Sequence, residues 1–411
     1  MKPFSLCGLF FCVIFYLTIH NNKAAAQNCN INTAVQLVYQ DSIESYIQHL
    51  EDYETRFMIA PNRLKIALWL GSKFNSLGID SVRIDTFETH TVHSNLGIDT
   101  TTKQYNVVAT IPGITKRKII ICGHYDSFAY GDPFSYAPGA DDDASGIAAC
   151  LESARVFSEI NLTPKNTVEI IAFAAEELMN YGLGGYDIHA AKAEVNNDTI
   201  DLVIHNDMIG FNDGNWTIFF SNYPGCESET NLLAFVCDTY TSLNKQFWPP
   251  NMGPFADRAF YSRDYKSVYI EENFDLNPNY HKVTDLLSNM DVSFCAEATK
   301  LSVAGAMQYD LFGVTTLSGE SPVFNETTFS VYPNPVQEKA RIEFNLETAC
   351  YVDLSIYDVT GQKVETIEKG KREKGNYSIE FINDNLNGFY FINLRIDNKI
   401  NYTKKIFTHR P

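Results

Sequence analysis

Two spacings of apolar residues alternate along most of this chain. Leu64, Ala67, Leu68, Leu70 and Phe74 follow Pro61 at helical spacing and stop before Gly78, which predicts a helix within a mainly helical stretch over 27–77. Short apolar and β-branched runs predict strands over 81–87, 105–111, 118–122, 167–173, 200–204, 216–220 and 267–270. Helical spacing returns over 143–160, where Ile147, Cys150, Leu151, Ala154 and Phe157 share a face. It returns again in a short helix ending at Ala193, over 230–241 and over 291–311. Strands alternating with helices predict an α/β fold, with a mixed, mostly parallel sheet flanked by helices.

The pattern changes after Leu311. Residues 313–326 are polar, include Gly319 and Pro322, and read as a linker. Short alternating strands follow over 340–344, 352–357, 377–381 and 389–395, with turns at Thr360–Gly361 and Asn387–Gly388. No long helix is among them, so 327–411 reads as a small all-β sandwich. At the other end, Lys2, an apolar run over 6–19 and Ala24, Ala25 and Ala26 read as a cleaved secretory leader over 1–26. That run is too short to span a bilayer comfortably, and no other apolar run reaches the ~18 residues a spanning helix needs, so no stable membrane insertion is expected. The leader leaves 27–312 as the α/β domain.

Composition narrows the function. Of 411 residues, 45% are hydrophobic and 20% charged, enough apolar material for a sizeable core. A formal net charge of −18 excludes a nucleic-acid partner, which requires clustered Lys and Arg. Cys7 and Cys12 fall in the leader. The other seven of the nine cysteines are Cys29, Cys122, Cys150, Cys226, Cys237, Cys295 and Cys350, an odd number that leaves a free thiol or an intermolecular bridge. Cys122 and Cys150 lie in apolar segments and read as core. With no CxxC pattern, sulfur is not the expected metal ligand.

The chemistry concentrates in GHYDSFAYGDPFSYAPGADDDASGIAA, residues 123–149. His124 and Asp126 fall just past a strand end, and Asp141, Asp142 and Asp143 just before a helix. Open α/β sheets bind ligands beyond the carboxyl ends of their strands. Three adjacent aspartates repel one another unless a cation or a helix N-terminus offsets them. Asp143 alone has the simpler reading of an N-cap. Taken with His124 and Asp126, the triplet reads as a metal site. Glu176, Glu177, Asp207 and, in its loop, His281 fall at or after further strand ends. Singly these are a charged helix start, a turn aspartate and a surface histidine. As an ordered set they meet at one sheet edge and would satisfy two divalent ions that share a carboxylate. Zinc takes such N and O ligands and, in pairs, can activate one water.

GHYDS followed by PGADDDASG resembles the zinc-dependent aminopeptidases of the bacterial leucyl aminopeptidase type, over roughly 106–311. The resemblance implies the zinc exopeptidase fold and a peptide substrate. It implies two zinc ions, with His124 a ligand of one, Asp142 bridging, Glu177 and Asp207 one on each ion, and His281 completing the set. Glu176 would be the general base. Asp126 would orient His124 through its other ring nitrogen. The chain departs from the family where Ala256 and Arg258 replace a serine and a histidine, and where residues 251–255 lack a tyrosine that holds the oxyanion in relatives. A zinc ion alone would then hold it. Arg258, in a loop expected to line the pocket, would favour acidic or polar side chains, or else pair with Asp257 or Asp264.

Residues 329–336 (FSVYPNPV), 353–361 (DLSIYDVTG) and 386–390 (LNGFY), with Lys404 and Lys405, resemble the C-terminal sorting domain of the type IX secretion system of Bacteroidota. The resemblance implies type IX machinery as a partner and a secreted or surface location reached through the periplasm. A carbohydrate-binding or spacer sandwich is the plainer reading of that architecture. For the α/β domain the rivals are a glutaminyl-peptide cyclotransferase of the same fold, with one zinc, and a catalytically silent surface binding protein.

Overall fold

The computed structural model describes residues 31–161, 163–178, 183–249, 258–314, 329–334, 336–346, 349–358, 363–383, 386–396 and 400–408. They form two compact units, one up to residue 314 and one from 329. The leader, residues 315–326 of the linker and the Thr360–Gly361 turn expected from the sequence lie outside the described residues.

The first unit is built on an eight-stranded sheet of order β1-β2-β4-β3-β5-β8-β6-β7. The strands are β1 Ser81–His93, β2 Ile98–Ile111, β3 Thr115–His124, β4 Asn166–Phe173, β5 Ile200–Asn206, β6 Thr217–Phe220, β7 Asn244–Phe247 and β8 Ser267–Glu271. The middle four, β4, β3, β5 and β8, run parallel. β1 and β2 are antiparallel on one flank, and β6 is antiparallel to β8 on the other. Among the described residues, 31–36 are helical, and the named helices follow in chain order: α1 Gln40–Glu51, α2 Arg63–Ser76, α3 Ala144–Glu159, α4 Gly185–Val195, α5 Glu227–Tyr240, α6 Arg258–Tyr261 and α7 Val292–Phe312.

The parallel strands carry buried apolar runs over 119–122, 170–173, 202–204 and 268–270, because both faces are covered there. Ile119 and Ile121 of β3 join the core under α1, α2, α3, α5 and α7. Ile120 and Cys122, pointing the other way, join Tyr186 and Ala190 of α4 and Phe260 of α6. Ile121 is fully buried, and truncating such a side chain to alanine costs about 2–5 kcal/mol. The mixed sheet with flanking helices expected from the pattern is therefore the fold observed.

Three strands of this sheet differ from expectation for identifiable reasons. β2 begins at Ile98, not at 105. β1 continues past Phe87 to His93, pairing residue for residue with β2. That extension alternates polar and β-branched residues, burying Phe87, Thr89 and Thr91 on one face, and lacks the apolar run that marked the first half. β7 is a four-residue edge strand, largely exposed, and carries no apolar signal. Glu176 and Glu177 do not start a helix, since the next one begins at Gly185.

The second unit contains antiparallel sheets of order β13-β10-β9 and β12-β11-β14-β15. Its strands are β9 Ser330–Tyr332, β10 Lys339–Leu346, β11 Cys350–Asp358, β12 Lys363–Arg372, β13 Gly375–Ile382, β14 Gly388–Ile396 and β15 Ile400–Thr408. Ala340, Ile342, Phe344 and Leu346 alternate inward from β10 and meet Val352, Leu354, Ile356, Ile392 and Leu394 of the other sheet. β12 is a charged, mostly exposed edge strand, a composition that discourages further pairing. The six cysteines among the described residues are all buried. No helix among the described residues is long and apolar enough to cross a membrane.

Candidate metal centre

The four parallel strands deliver their carboxyl ends to one edge of the sheet. β3 ends on His124, β4 leads through Ala174 and Ala175 into Glu176 and Glu177, and β5 leads into Asp207. The Asp triplet enters from the α3 side. Asp143 is the N-cap of α3: Gly146 N donates to its Oδ1 at 2.8 Å, and His124 N donates to its Oδ2 at 2.9 Å. A Cβ on Gly146 would stand 2.4 Å from that Oδ1 and 2.6 Å from Asn206 O, so only glycine lets β5 and α3 approach this closely. Asp141 accepts from Gly210 N at 2.8 Å and from Asn277 Nδ2 at 2.9 Å. The peptide between Asp142 and Asp143 is cis. The outer two aspartates thus serve the backbone and a side-chain amide, while the middle one turns into the cleft.

Asp142 stands between two imidazoles. Its Oδ1 lies 3.3 Å from His124 Nε2 and its Oδ2 lies 3.2 Å from His281 Nε2. On the first side Asp207 Oδ1 is 3.5 Å from His124 Nε2, and on the second Glu177 Oε2 is 3.0 Å from His281 Nε2. Glu176 Oε2 is 3.8 Å from His124 Nε2. His124, Asp142 and Glu177 each present a ligand atom within 4.8 Å of the others, as do His124, Asp143 and Asp207. Asp143 belongs to that second cluster by distance, but both its oxygens already accept backbone N–H groups, so Asp142 is the better candidate on that side too.

The donors fit a cation. His124 Nε2, Glu177 Oε1 and Asp207 Oδ1 are buried without a hydrogen-bond partner, an arrangement that costs free energy unless something else satisfies them. Burial pushes the Glu176 carboxyl well above the usual range; His124 opposes the shift, and Asp207 and Glu177 add to it. Burial and the charge of Asp142 take Glu177 up to about 7. Burial raises Asp142 too, but its contacts with His124 and His281 overcome that and hold it below the ordinary range. Burial lowers His281, whereas Glu177 and Asp142 overcome it and raise the imidazole to about 11. The acids thus draw protons onto the imidazoles to balance their charge, which bound cations would do instead. Imidazole nitrogen and carboxylate oxygen are zinc donors, and no cysteine belongs to either cluster.

Asp126 stands at the other ring nitrogen of His124: His124 Nδ1 meets its backbone carbonyl at 3.1 Å and its carboxylate at 3.6 Å. The carboxylate also accepts from Glu176 N at 3.0 Å and Glu177 N at 3.1 Å, fixing both acidic side chains through their backbone next to Ala175, whose φ is +62°. Arg258 opens α6 and is exposed, and residues 250–257 lie outside the described residues.

Three residues here escaped the sequence reading. Asp285 accepts from Asp141 N at 2.9 Å and Asp142 N at 3.0 Å, tying the His281 loop to the triplet. Tyr269 OH donates to Asp207 Oδ2, leaving Oδ1 aimed into the cleft. Arg56 lies beneath the loop between His124 and Asp142 and is 1% exposed. None carries a local motif; only their distant partners mark them.

Comparison with known proteins agrees with this geometry. Residues 106–305 match the model of peptidase family M28, and residues 330–409 match that of a secretion system C-terminal sorting domain. Over residues 106–305 the α/β unit is of the peptidase family M28 type, a peptide hydrolase of the metallo-aminopeptidase kind, and the C-terminal unit is a sorting domain. A probable leucine aminopeptidase of Trichophyton verrucosum is 25% identical over 296 residues, covering 68% of this chain and 74% of the relative. The LapA aminopeptidase of Legionella pneumophila shares the fold, with a TM-score of 0.58, 24% identity and coverage of 68% and 73%. A glutaminyl cyclase of Fimbriiglobus ruber shares it too, with a TM-score of 0.54, 15% identity and coverage of 66% and 95%. Fold alone therefore does not separate peptidase from cyclase.

Proposed function

We propose that the chain is an exported, co-catalytic di-zinc aminopeptidase that removes N-terminal residues from peptides. One observation carries this reading over the one-zinc cyclase: the two oxygens of Asp142 face two separate donor groups. His124, Asp142 and Asp207 would hold one zinc, and Asp142, Glu177 and His281 the other. Bound there, the ions supply Lewis acidity and lower the pKa of water toward neutrality. Glu176 takes a proton from the attacking water and returns it to the departing amine. Its raised pKa suits both halves of that exchange. Asp126 holds Glu176 by its backbone N–H, so the base keeps its place while its carboxylate stays free.

The test joins elemental analysis to a panel of aminoacyl-anilides and an N-terminal glutaminyl peptide. About two zinc ions per chain with anilide hydrolysis support the proposal; one zinc with cyclisation of the glutaminyl peptide gives the cyclase reading. Arg258 is proposed to bias the pocket toward acidic or polar side chains. Arg258→His is then expected to lose about 1–3 kcal/mol of discrimination for Glu- over Leu-anilide. An equal change for both substrates would remove Arg258 from the specificity account.

The sorting domain motivates the rest of the proposal: a leader over 1–26, a catalytic domain over 27–312, a linker over 313–326, and a tail over 327–411 read by type IX machinery for release or surface display. Each unit has its own core, so cutting before Phe329 is expected to leave an active peptidase that stays in the periplasm. Normal export of the truncated chain would show that the tail is not the address.

A further inference from the structure

Residues 125–143 run from the residue after His124 to the residue after Asp142. The placing of these two side chains therefore depends on how the ends of that loop are held. Segment 54–56, which precedes the residues matched by the family model, holds the loop along its length. Ala137 N donates to Glu54 O at 2.8 Å, and Ser127 N to Arg56 O at 3.4 Å. Thr55 Oγ1 donates to Pro133 O at 2.7 Å, and Arg56 N to Ser127 Oγ at 3.1 Å.

The Arg56 side chain joins the two ends. Its Nε donates to Tyr125 O at 2.8 Å, the first residue of the loop. Its Nη1 donates to Pro138 O at 2.5 Å and Leu50 O at 3.2 Å, and its Nη2 to Gly139 O at 2.6 Å. Gly139 has φ +54°, and a Cβ there would stand 2.9 Å from Arg56 Nη2 and 2.4 Å from Asp142 O. The guanidinium thus passes through space that only glycine leaves open. A fully buried arginine is costly, and an apolar side chain would fill the same space with less desolvation. What an apolar residue lacks is the rigid fork that reaches three carbonyls at opposite ends of one loop. The charge also sits where Asp285, Asp143, Asp126 and Asp142 act on it.

We propose that Arg56 is a positioning residue for the metal centre: it fixes both ends of loop 125–143, so that His124 and Asp142 face each other before any ion binds. The proposal rests on the zinc reading above, and its test separates the two. Hydrogen exchange of the amides over 125–142 is measured in the full chain, zinc-free and zinc-loaded. Zinc affinity and the visible spectrum of the cobalt-substituted protein are measured for wild type, Arg56→Lys and Arg56→Met. The zinc-free wild-type loop is expected to be protected already. Arg56→Lys keeps the charge and loses the fork; it is expected to remain folded, lose that protection, bind zinc about 10–100-fold more weakly and change the cobalt spectrum. If the variants merely unfold at lower temperature, with unchanged zinc affinity and cobalt spectrum in the folded protein, the proposal is overturned. A wild-type loop that becomes protected only when zinc is added overturns it as well, and that measurement needs no variant. Wild type that binds no zinc sinks the metal reading itself, whereas equal binding by wild type and Arg56→Lys sinks only the role of Arg56.

Discussion

Glu176→Gln is expected to lower kcat by about 10²–10⁴, the usual worth of general acid–base catalysis, while zinc content stays that of wild type. The substitution keeps the shape of the side chain and leaves the backbone N–H that Asp126 accepts. It removes only the capacity to take up and return a proton. KM for an aminoacyl-anilide should change little, because Glu176 acts in the step after binding. Steady-state kinetics beside elemental analysis checks both halves. Full activity in the variant would remove Glu176 as the base, and lost zinc would make it a ligand instead.

Asp142→Asn is expected to do more. Each oxygen of Asp142 faces one histidine and one donor group, so the change weakens both halves of the centre together. Zinc is expected to fall from about two ions per chain to one or none, and kcat/KM by ~10³ or more, since a catalytic metal supplies several kcal/mol of transition-state stabilisation. Asp143→Ala provides the contrast. Asp143 accepts from Gly146 N and His124 N, so its loss should appear first in the unfolding midpoint, with about 1 kcal/mol from the cap alone. If the two variants exchange these outcomes, the division of labour within the triplet is wrong.

Much of the cleft was legible because its residues sit where strand and helix signals end. GHYDS closes an apolar run, ADDDASG opens a helix, and the Glu176–Glu177 pair and Asp207 each follow a buried strand. A parallel sheet then brings these ends together without further instruction. Residues that act across the fold were not legible. Tyr269 lies within β8 and reads as core, yet its hydroxyl reaches Asp207. Arg56 sits between helices beside the apolar run 57–60, and its role exists only once a loop about 70–80 residues further along folds around it. Asp126 was expected to serve His124 alone, whereas its carboxylate also reaches the backbone 50 residues on. The polar half of β1 and the edge strand β7 were missed for a related reason: their pairing comes from a neighbour, not from an apolar period of their own.

The central claim is that this cleft holds two ions about one carboxylate. Anomalous diffraction at the zinc edge from crystals of the zinc-loaded protein tests it most directly. Two peaks are expected, one among His124, Asp142 and Asp207 and the other among Asp142, Glu177 and His281. A single peak, or two peaks that leave Asp142 bound to only one of them, would contradict the co-catalytic site.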